Sequence, residues 1–443
     1  MKIVIVGAGE VGSHLAKLLS SEGQDVILVD SDESKLDDFE MYNLMTYTGK
    51  PTSFASLKEA GAGKCDLFIA VTPYETRNLL ACSIAKSLGA KSAVARIDNY
   101  EYMKQPARQF FVNMGVDDVI YPEYLAAQEM MTALKRTWVR CWFDLLNGQL
   151  VVVGVKLREK AKLVGLKLRE LNTQSSYMHI SAIKRNHETI IPGGDDMICV
   201  NDIVYIATTN EYIPNVLEMT GKEEVGIKKV FIMGGSRIAE QLVRLAGGKY
   251  KFKIIESDLE RCHRLAEKLP DCNIVHGDGR DIDLLHEEGL SDCEAFVALT
   301  GSSETNILGC LTAKEFGVRK TIAEVENIQF ISEAEGLNIG TVINKKLLAS
   351  SRIFQIMLDK DSSNSKCLAL ADADVVELVA KEGSRITRSE VMNLHLSHDM
   401  TIAGLLRDGK GVLVKGNTLI QPGDHVVVFC LAGAINKVEK LFK

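Results

Sequence analysis

Residues 1–30 read MKIVIVGAGEVGSHLAKLLSSEGQDVILVD, and this stretch decides the fold. IVIVG is a short β-branched run, and Gly7-Ala8-Gly9-Glu10-Val11-Gly12 follows it directly as G-x-G-x-x-G. HLAKLLSSEG then carries apolar residues at helical spacing, and VILVD is a second apolar strand ending on Asp30. Strand, glycine loop, helix and acid-tipped strand together form a dinucleotide-binding βαβ unit. Gly7 permits the tight turn, Gly9 lets a diphosphate approach the backbone, and Gly12 allows close helix–strand packing. The helix N-terminus supplies free N–H groups and partial positive charge to the phosphates. Asp30 is the expected acceptor for the adenosine ribose hydroxyls. Its charge would repel a 2′-phosphate, which favours NAD(H) over NADP(H).

Working outward, LFIAVT and SAVARI are further strand-like runs separated by amphipathic segments such as NLLACSIAKSLG. Strands alternating with helices imply a parallel sheet covered on both faces, wound in both directions from the first strand. The pattern then returns. Gly7 recurs as Gly234 at an offset of 227 and Asp30 as Glu256 at 226. Gly49, Thr72, Asn78, Cys82 and Asn99 recur as Gly277, Thr300, Asn306, Cys310 and Asn327, all at 228. The chain is a tandem duplication.

Each large unit leads into a smaller one of short strands, turns and one helix. Asn201-Asp202 and Gly423-Asp424 precede the equivalent strands IVYIA and HVVVF. The expected architecture is α/β: two doubly wound parallel-sheet Rossmann domains, each followed by a small α+β lobe. The expected spans are 1–135 and 227–355 for the Rossmann lobes, and 138–222 and 362–443 for the small lobes. EYLAAQEMMTALKR, after the first Rossmann lobe, has helical apolar spacing; its apolar face could pack on its own domain or on another subunit.

The second loop, Gly234-Gly235-Ser236-Arg237-Ile238-Ala239, aligns position for position but puts Ser236 opposite Gly9 and Ala239 opposite Gly12. A serine there places a Cβ where a diphosphate would lie, although its hydroxyl and Arg237 could both serve a phosphate. Glu256 keeps the ribose-binding acid, and Gly277-Asp278 keeps a tight turn. An adenine mononucleotide is as plausible here as NAD, and a purely structural unit is the alternative.

The 443 residues carry a formal net charge of −7 and no dense basic cluster, which argues against a nucleic-acid partner. Ten cysteines lie scattered without a C-x-x-C pair, as expected in a reducing cytoplasm. The apolar run at the N-terminus is too short for a signal peptide, and no run reaches the ~18 residues of a membrane span. Ser87, Tyr100 and Lys104 imitate the catalytic set of short-chain dehydrogenases, but Ser87 falls within a helix rather than at a strand end. His395 and His398, beside Asp399, read as a turn or surface feature rather than a metal site. Without a catalytic group beside the nicotinamide, the pattern suits a nucleotide sensor; a soluble NAD-dependent oxidoreductase and a ligand-free assembly module are the alternatives.

KIVIVGAGEVGSHLA, VILVDSD, LFIAVTPYETRNLLACSIAK, AVARI and PGDHVVVF resemble the TrkA family, peripheral NAD-binding components of the Trk potassium-uptake system. The resemblance covers nearly the whole chain, including the repeat. It implies tandem RCK (regulator of potassium conductance) domains without catalytic activity. It further implies a peripheral protein on the inner face of the membrane, a homo-oligomer (a tetramer) beneath a membrane-embedded potassium-translocating subunit, and gating by nucleotide. NAD(H) is the implied ligand, with ATP or ADP as further candidates. By family pattern the first pocket comprises Gly7 through Val11, with Asp30, Thr72, Pro73 and Arg96. The second comprises Gly234 through Ile238, with Glu256, Gly277, Asp278, Thr300 and Glu324. Three departures stand out: Lys50 opposite Asp278, Glu324 opposite Arg96, and Ser236 opposite Gly9.

Overall fold

In a computed structural model, all residues except 40, 175–176, 187, 361–365, 371–372, 432 and 443 are described; the expected start of the last lobe, residue 362, lies outside them. The first parallel sheet is built from β1 (Lys2–Val6), β2 (Asp25–Asp30), β3 (Met45–Thr48), β4 (Leu67–Ala70), β5 (Ala93–Arg96) and β6 (Asp118–Ile120). Its strand order is β3-β2-β1-β4-β5-β6, with every pairing parallel. That order is the doubly wound dinucleotide-binding topology, whose ligand crevice opens where the winding reverses, between β1 and β4. β1, β2 and β4 are almost continuously buried because helices cover both faces of the sheet.

A five-stranded antiparallel sheet follows, from β7 (Cys141–Leu145), β8 (Leu150–Lys156), β9 (His179–Arg185), β10 (Glu188–Ile190) and β11 (Ile203–Thr208), in the order β10-β9-β11-β8-β7. The second half repeats the scheme. β12 (Lys229–Met233), β13 (Lys251–Glu256), β14 (Asn273–His276), β15 (Ala295–Ala298), β16 (Lys320–Glu324) and β17 (Thr341–Ile343) form the second parallel sheet in the same relative order. β18 (Lys366–Leu370), β19 (Ala373–Val379), β20 (Met400–Arg407), β21 (Lys410–Leu413) and β22 (His425–Leu431) form the second small sheet, ordered β18-β19-β22-β20-β21. The fold class read from the sequence is the one observed.

The chain divides into two compact units, residues 1–125 with 345–357 and residues 126–344 with 358–443. Residues 345–357 follow the second Rossmann sheet in sequence yet belong to the unit of the first. The helix Pro122–Lys135 runs across the division in sequence. Its apolar residues Ala126, Ala127, Met130 and Leu134 are buried within the single chain, so this face needs no second subunit to cover it.

Within the second unit the two small sheets share one apolar core. Leu150, Val152 and Tyr205 from the first sheet pack in it with Val375, Val427 and Phe429 from the second. Both small lobes also carry the same ion pair on a buried aspartate. Arg185 donates through Nε and Nη2 to Asp202 at 2.9 and 2.8 Å, and Arg407 grips Asp424 in the same fork at 3.0 and 2.6 Å. Each aspartate also accepts a backbone N–H three residues upstream, from Cys199 or Gln421, so it closes its own turn. This explains the Asn-Asp and Gly-Asp dipeptides before IVYIA and HVVVF. Asp202→Asn or Asp424→Asn removes the charge from a bidentate pair whose acid is buried. Each is expected to lower stability by about 2 kcal/mol in chemical denaturation, discounting for the half-exposed arginine. A change below about 0.5 kcal/mol, the range of ordinary surface substitutions, would contradict that role.

Candidate functional site

In the first Rossmann lobe the chain leaves β1 at Gly7, whose φ of +105° suits a residue without a Cβ. The loop amide that follows has no strand partner. Ala8 N–H instead donates to Asp30 Oδ2 at 2.7 Å, while Asp30 Oδ1 accepts from Asp32 N–H at 3.0 Å. Asp30 is therefore buried and holds the loop against the end of β2. A carboxylate has about four acceptor sites, so two backbone bonds leave capacity for ribose hydroxyls.

Gly12 lies so close to the turn that a Cβ there would fall 1.8 Å from Gly7 O. A Cβ on Gly9, by contrast, would meet nothing within 4 Å, and Gly9 is exposed. An open cradle at the N-terminus of the helix Glu10–Ser21 is what a diphosphate requires. The residues present thus fit a dinucleotide.

The opposite wall is held by a side chain that was visible in the sequence only as a repeat position. Asn78 Oδ1 accepts from Thr72 N–H at 2.9 Å and Thr72 Oγ1 at 2.6 Å. Its Nδ2 donates to Thr72 O and Arg96 O, both at 2.9 Å. This clasp binds the loop after β4 to the end of β5 and sets Thr72 close against Gly7. Pro73 is exposed beside it. The guanidinium of Arg96 reaches Glu123 at 3.6 Å, at the start of the helix Pro122–Lys135, and Glu123 is buried. Lys346, from residues 345–357, ion-pairs with Glu10 in the phosphate loop. Sequence spacing gave no sign of either Glu123 or Lys346.

The second lobe repeats the frame. Gly235 N–H donates to Glu256 Oε2 at 2.8 Å and Asp258 N–H to Oε1 at 2.9 Å. Asn306 clasps Thr300 N–H and Oγ1 at 2.9 and 2.7 Å and donates to Glu324 O at 2.9 Å. Gly277 N–H reaches Glu256 O at 2.9 Å. The chemistry differs in detail. Ser236 caps the helix Arg237–Ala246 by accepting Ala239 N–H at 3.4 Å, so its oxygen is engaged by protein. Arg261 lies 3.5 Å from Glu256. Asp278 faces Arg280, which forks onto it and holds its carboxyl below the usual range. Ile238 is buried and Arg237 exposed. Both expected residue sets are thus brought to one loop and one strand-end cluster in each lobe.

The dehydrogenase look-alike is arranged otherwise. Ser87 Oγ donates to Ile84 O of its own helix, and Lys104 lies over the Tyr100 ring at 4.6 Å. Asp399, near His398, is ion-paired with Lys437. Among the described residues no three His, Cys, Asp or Glu side chains gather as a metal site, and no helix is long and apolar enough to cross a membrane.

Fold and site together define a duplicated protein of the Rossmann-plus-small-lobe class whose first loop has the geometry to take a nucleotide. Solved structures share this fold: the GsuK RCK domain (TM-score 0.60, 14% identity, 100% of this chain and 94% of that one) and the GsuK channel bound to NAD (0.61, 14%, 100% and 78%). The TrkA-N domain model matches residues 3–122 and 230–345, and the TrkA-C domain model matches 152–221 and 375–443. The chain belongs to the TrkA family. Relatives include the Trk system potassium uptake protein TrkA of Haemophilus influenzae, 30% identical over 100% of this chain and 99% of the relative. The protein of that name from Halomonas elongata is 28% identical over 100% and 99%.

The open space at Gly9 makes a direct test. Gly9→Ser, which imitates the second loop, should leave the melting temperature unchanged and weaken NADH binding at least about tenfold, or about 1.4 kcal/mol. Unchanged affinity by calorimetry would remove the first loop from the binding site.

Proposed function

We propose that this chain is the nucleotide-sensing regulatory subunit of a potassium-uptake transporter, binding NAD(H) in the first Rossmann lobe. The observation that carries it is the open Gly9 cradle backed by the buried Asp30 carboxylate, in a chain related over its full length to potassium-uptake proteins. Gly7 through Gly12 would hold the diphosphate, Asp30 the ribose, and Thr72, Pro73 and Arg96 the opposite wall. Gly234 through Ile238, with Glu256, Gly277, Asp278, Thr300 and Glu324, form a second site of different selectivity, for which ATP or ADP is the candidate. The proposed setting is the cytoplasmic face of the membrane, as a homo-tetramer beneath a membrane-embedded potassium-translocating subunit. The role is regulatory rather than enzymatic. We assign the Rossmann lobes to 1–135 and 227–355 and the small lobes to 138–222 and 362–443.

A ligand shifts a conformational equilibrium only through different affinity for the two states. Arg96 supplies a physical source for that difference. Its guanidinium is shared between Glu123 and the pocket, and a phosphate arriving there competes with Glu123 for it. Glu123 begins the helix that leaves the first compact unit for the second. Nucleotide charge would in this way be converted into a bias on that helix.

Two measurements test this. Potassium flux through the reconstituted complex should change on adding NADH or NAD; flux indifferent to NADH, NAD and ATP alike would sink the proposal. Glu123→Gln should free Arg96 and tighten NADH binding about fivefold, equivalent to roughly 1 kcal/mol, while blunting the flux response. If affinity stays at the wild-type value, Arg96 is not the shared cation.

A further inference from the structure

Among the described residues, a dense group of cations lines a cavity that includes neither phosphate loop. Within the second compact unit, this cavity of about 270 Å³ opens on the seam between the first small lobe and the second Rossmann lobe. The small lobe contributes Arg140, Lys156, Arg158 and Lys222 to its lining, and the Rossmann lobe contributes Lys314, Arg319 and Lys320. Against these stand two lining carboxylates, Glu223 and Glu294. Glu294 is already committed, since its Oε2 accepts Lys228 and Lys229 N–H at 3.1 and 2.7 Å.

Among the described residues, none of the seven cations is ion-paired with a carboxylate. Five of them donate to neutral acceptors. Lys320, only 5% exposed, donates to Val139 O at 2.9 Å and Thr341 Oγ1 at 3.0 Å. Lys156 reaches Glu335 O at 3.4 Å, Lys314 donates to Asn338 O, and Arg158 donates to Asn201 Oδ1 at 2.9 Å. Two lining residues also keep buried donors that find no acceptor among the described residues: Arg140 Nη1 and the indole Nε1 of Trp138, itself 7% exposed. A buried donor without an acceptor is costly, more so when it is charged. Seven cations, one of them Arg140 with its free Nη1, and the Trp138 indole thus converge on a lining poor in acceptors.

We propose that this seam is a binding site for a small polyvalent anion of the diphosphate class, separate from both Rossmann loops. The volume suits a diphosphate with a few waters and is small for a dinucleotide. Electrostatics points the same way. Burial, reinforced by the neighbouring Arg140, pulls the Lys320 ammonium down to about 7 and that of Lys314 down to about 8. The nearby Glu335 carboxylate, which favours the charged forms of Arg140 and Lys156, is itself ion-paired with Lys184. An anion here would bond to cations from both lobes and fasten the first small lobe to the second Rossmann lobe.

The test uses inorganic pyrophosphate as probe, titrated calorimetrically into the full-length protein in 150 mM chloride. The phosphate loops are a competing site, so each titration is run with and without saturating NADH. Arg158→Gln combined with Lys222→Gln removes two charges at the rim, sparing the buried Lys320. This pair should weaken pyrophosphate binding at least tenfold and leave NADH affinity within twofold. Gly9→Ser should leave the NADH-insensitive pyrophosphate binding intact. The pair Lys156→Gln and Arg319→Gln provides a second version if the first fails to fold. The proposal is overturned if pyrophosphate binding vanishes with NADH present, is lost in Gly9→Ser alone, survives both rim variants, or is undetectable in chloride.

Discussion

Each Rossmann lobe depends on one charge-assisted hydrogen bond, from the first free amide of the glycine loop to the acid ending the second strand. Ala8 N–H to Asp30 and Gly235 N–H to Glu256 differ by only 0.1 Å, although one acid is a methylene longer. A buried amide without a strand partner must find an acceptor, and a carboxylate is the strongest one available. Because it also accepts a backbone N–H two residues on, the acid fixes loop and strand end together. The shape of the cradle, the entry angle of the helix and the orientation of Gly9 all follow from that fixed point.

Much of this was legible in the residues themselves. G-x-G-x-x-G between a strand and a helix, the acid at the next strand end, and the 226–228 offsets led directly to two doubly wound sheets. Small-lobe pairing was less legible, because short strands of similar composition do not declare their neighbours; β11 inserts between β8 and β9, and β22 between β19 and β20. Site contacts that bridge long stretches of sequence left no local trace. Glu10 and Lys346 are 336 positions apart, and no periodicity joins them. The Asn78 clasp lay in between: its repetition as Asn306 marked it as constrained, but only the structure shows four bonds converging on one amide.

The divergence between the halves also looks different in three dimensions. Glu324 opposite Arg96 reads in the sequence as a reversed local charge. Strand register extends the comparison. Arg96 is paired with Ile120 and Glu324 with Ile343, and three residues beyond those partners stand Glu123 and Lys346. Lys346 itself is ion-paired with Glu10 of the first loop. Ser236, opposite Gly9, serves as a helix cap. A Cβ on Gly12 would fall 1.8 Å from Gly7 O, so Gly12 admits no side chain, whereas its counterpart Ala239 is accommodated.

The grouping of residues 345–357 with residues 1–125 bears on how such a chain can arise and be divided. A gene encoding one Rossmann lobe and one small lobe would yield a product whose first unit lacks the segment carrying Lys346, Ile353 and Phe354. Two such products would have to trade segments before either was whole. Joining them in one reading frame turns an exchange between molecules into an intramolecular one, independent of concentration. The boundary between the duplicated halves in sequence is therefore not the boundary between the compact units.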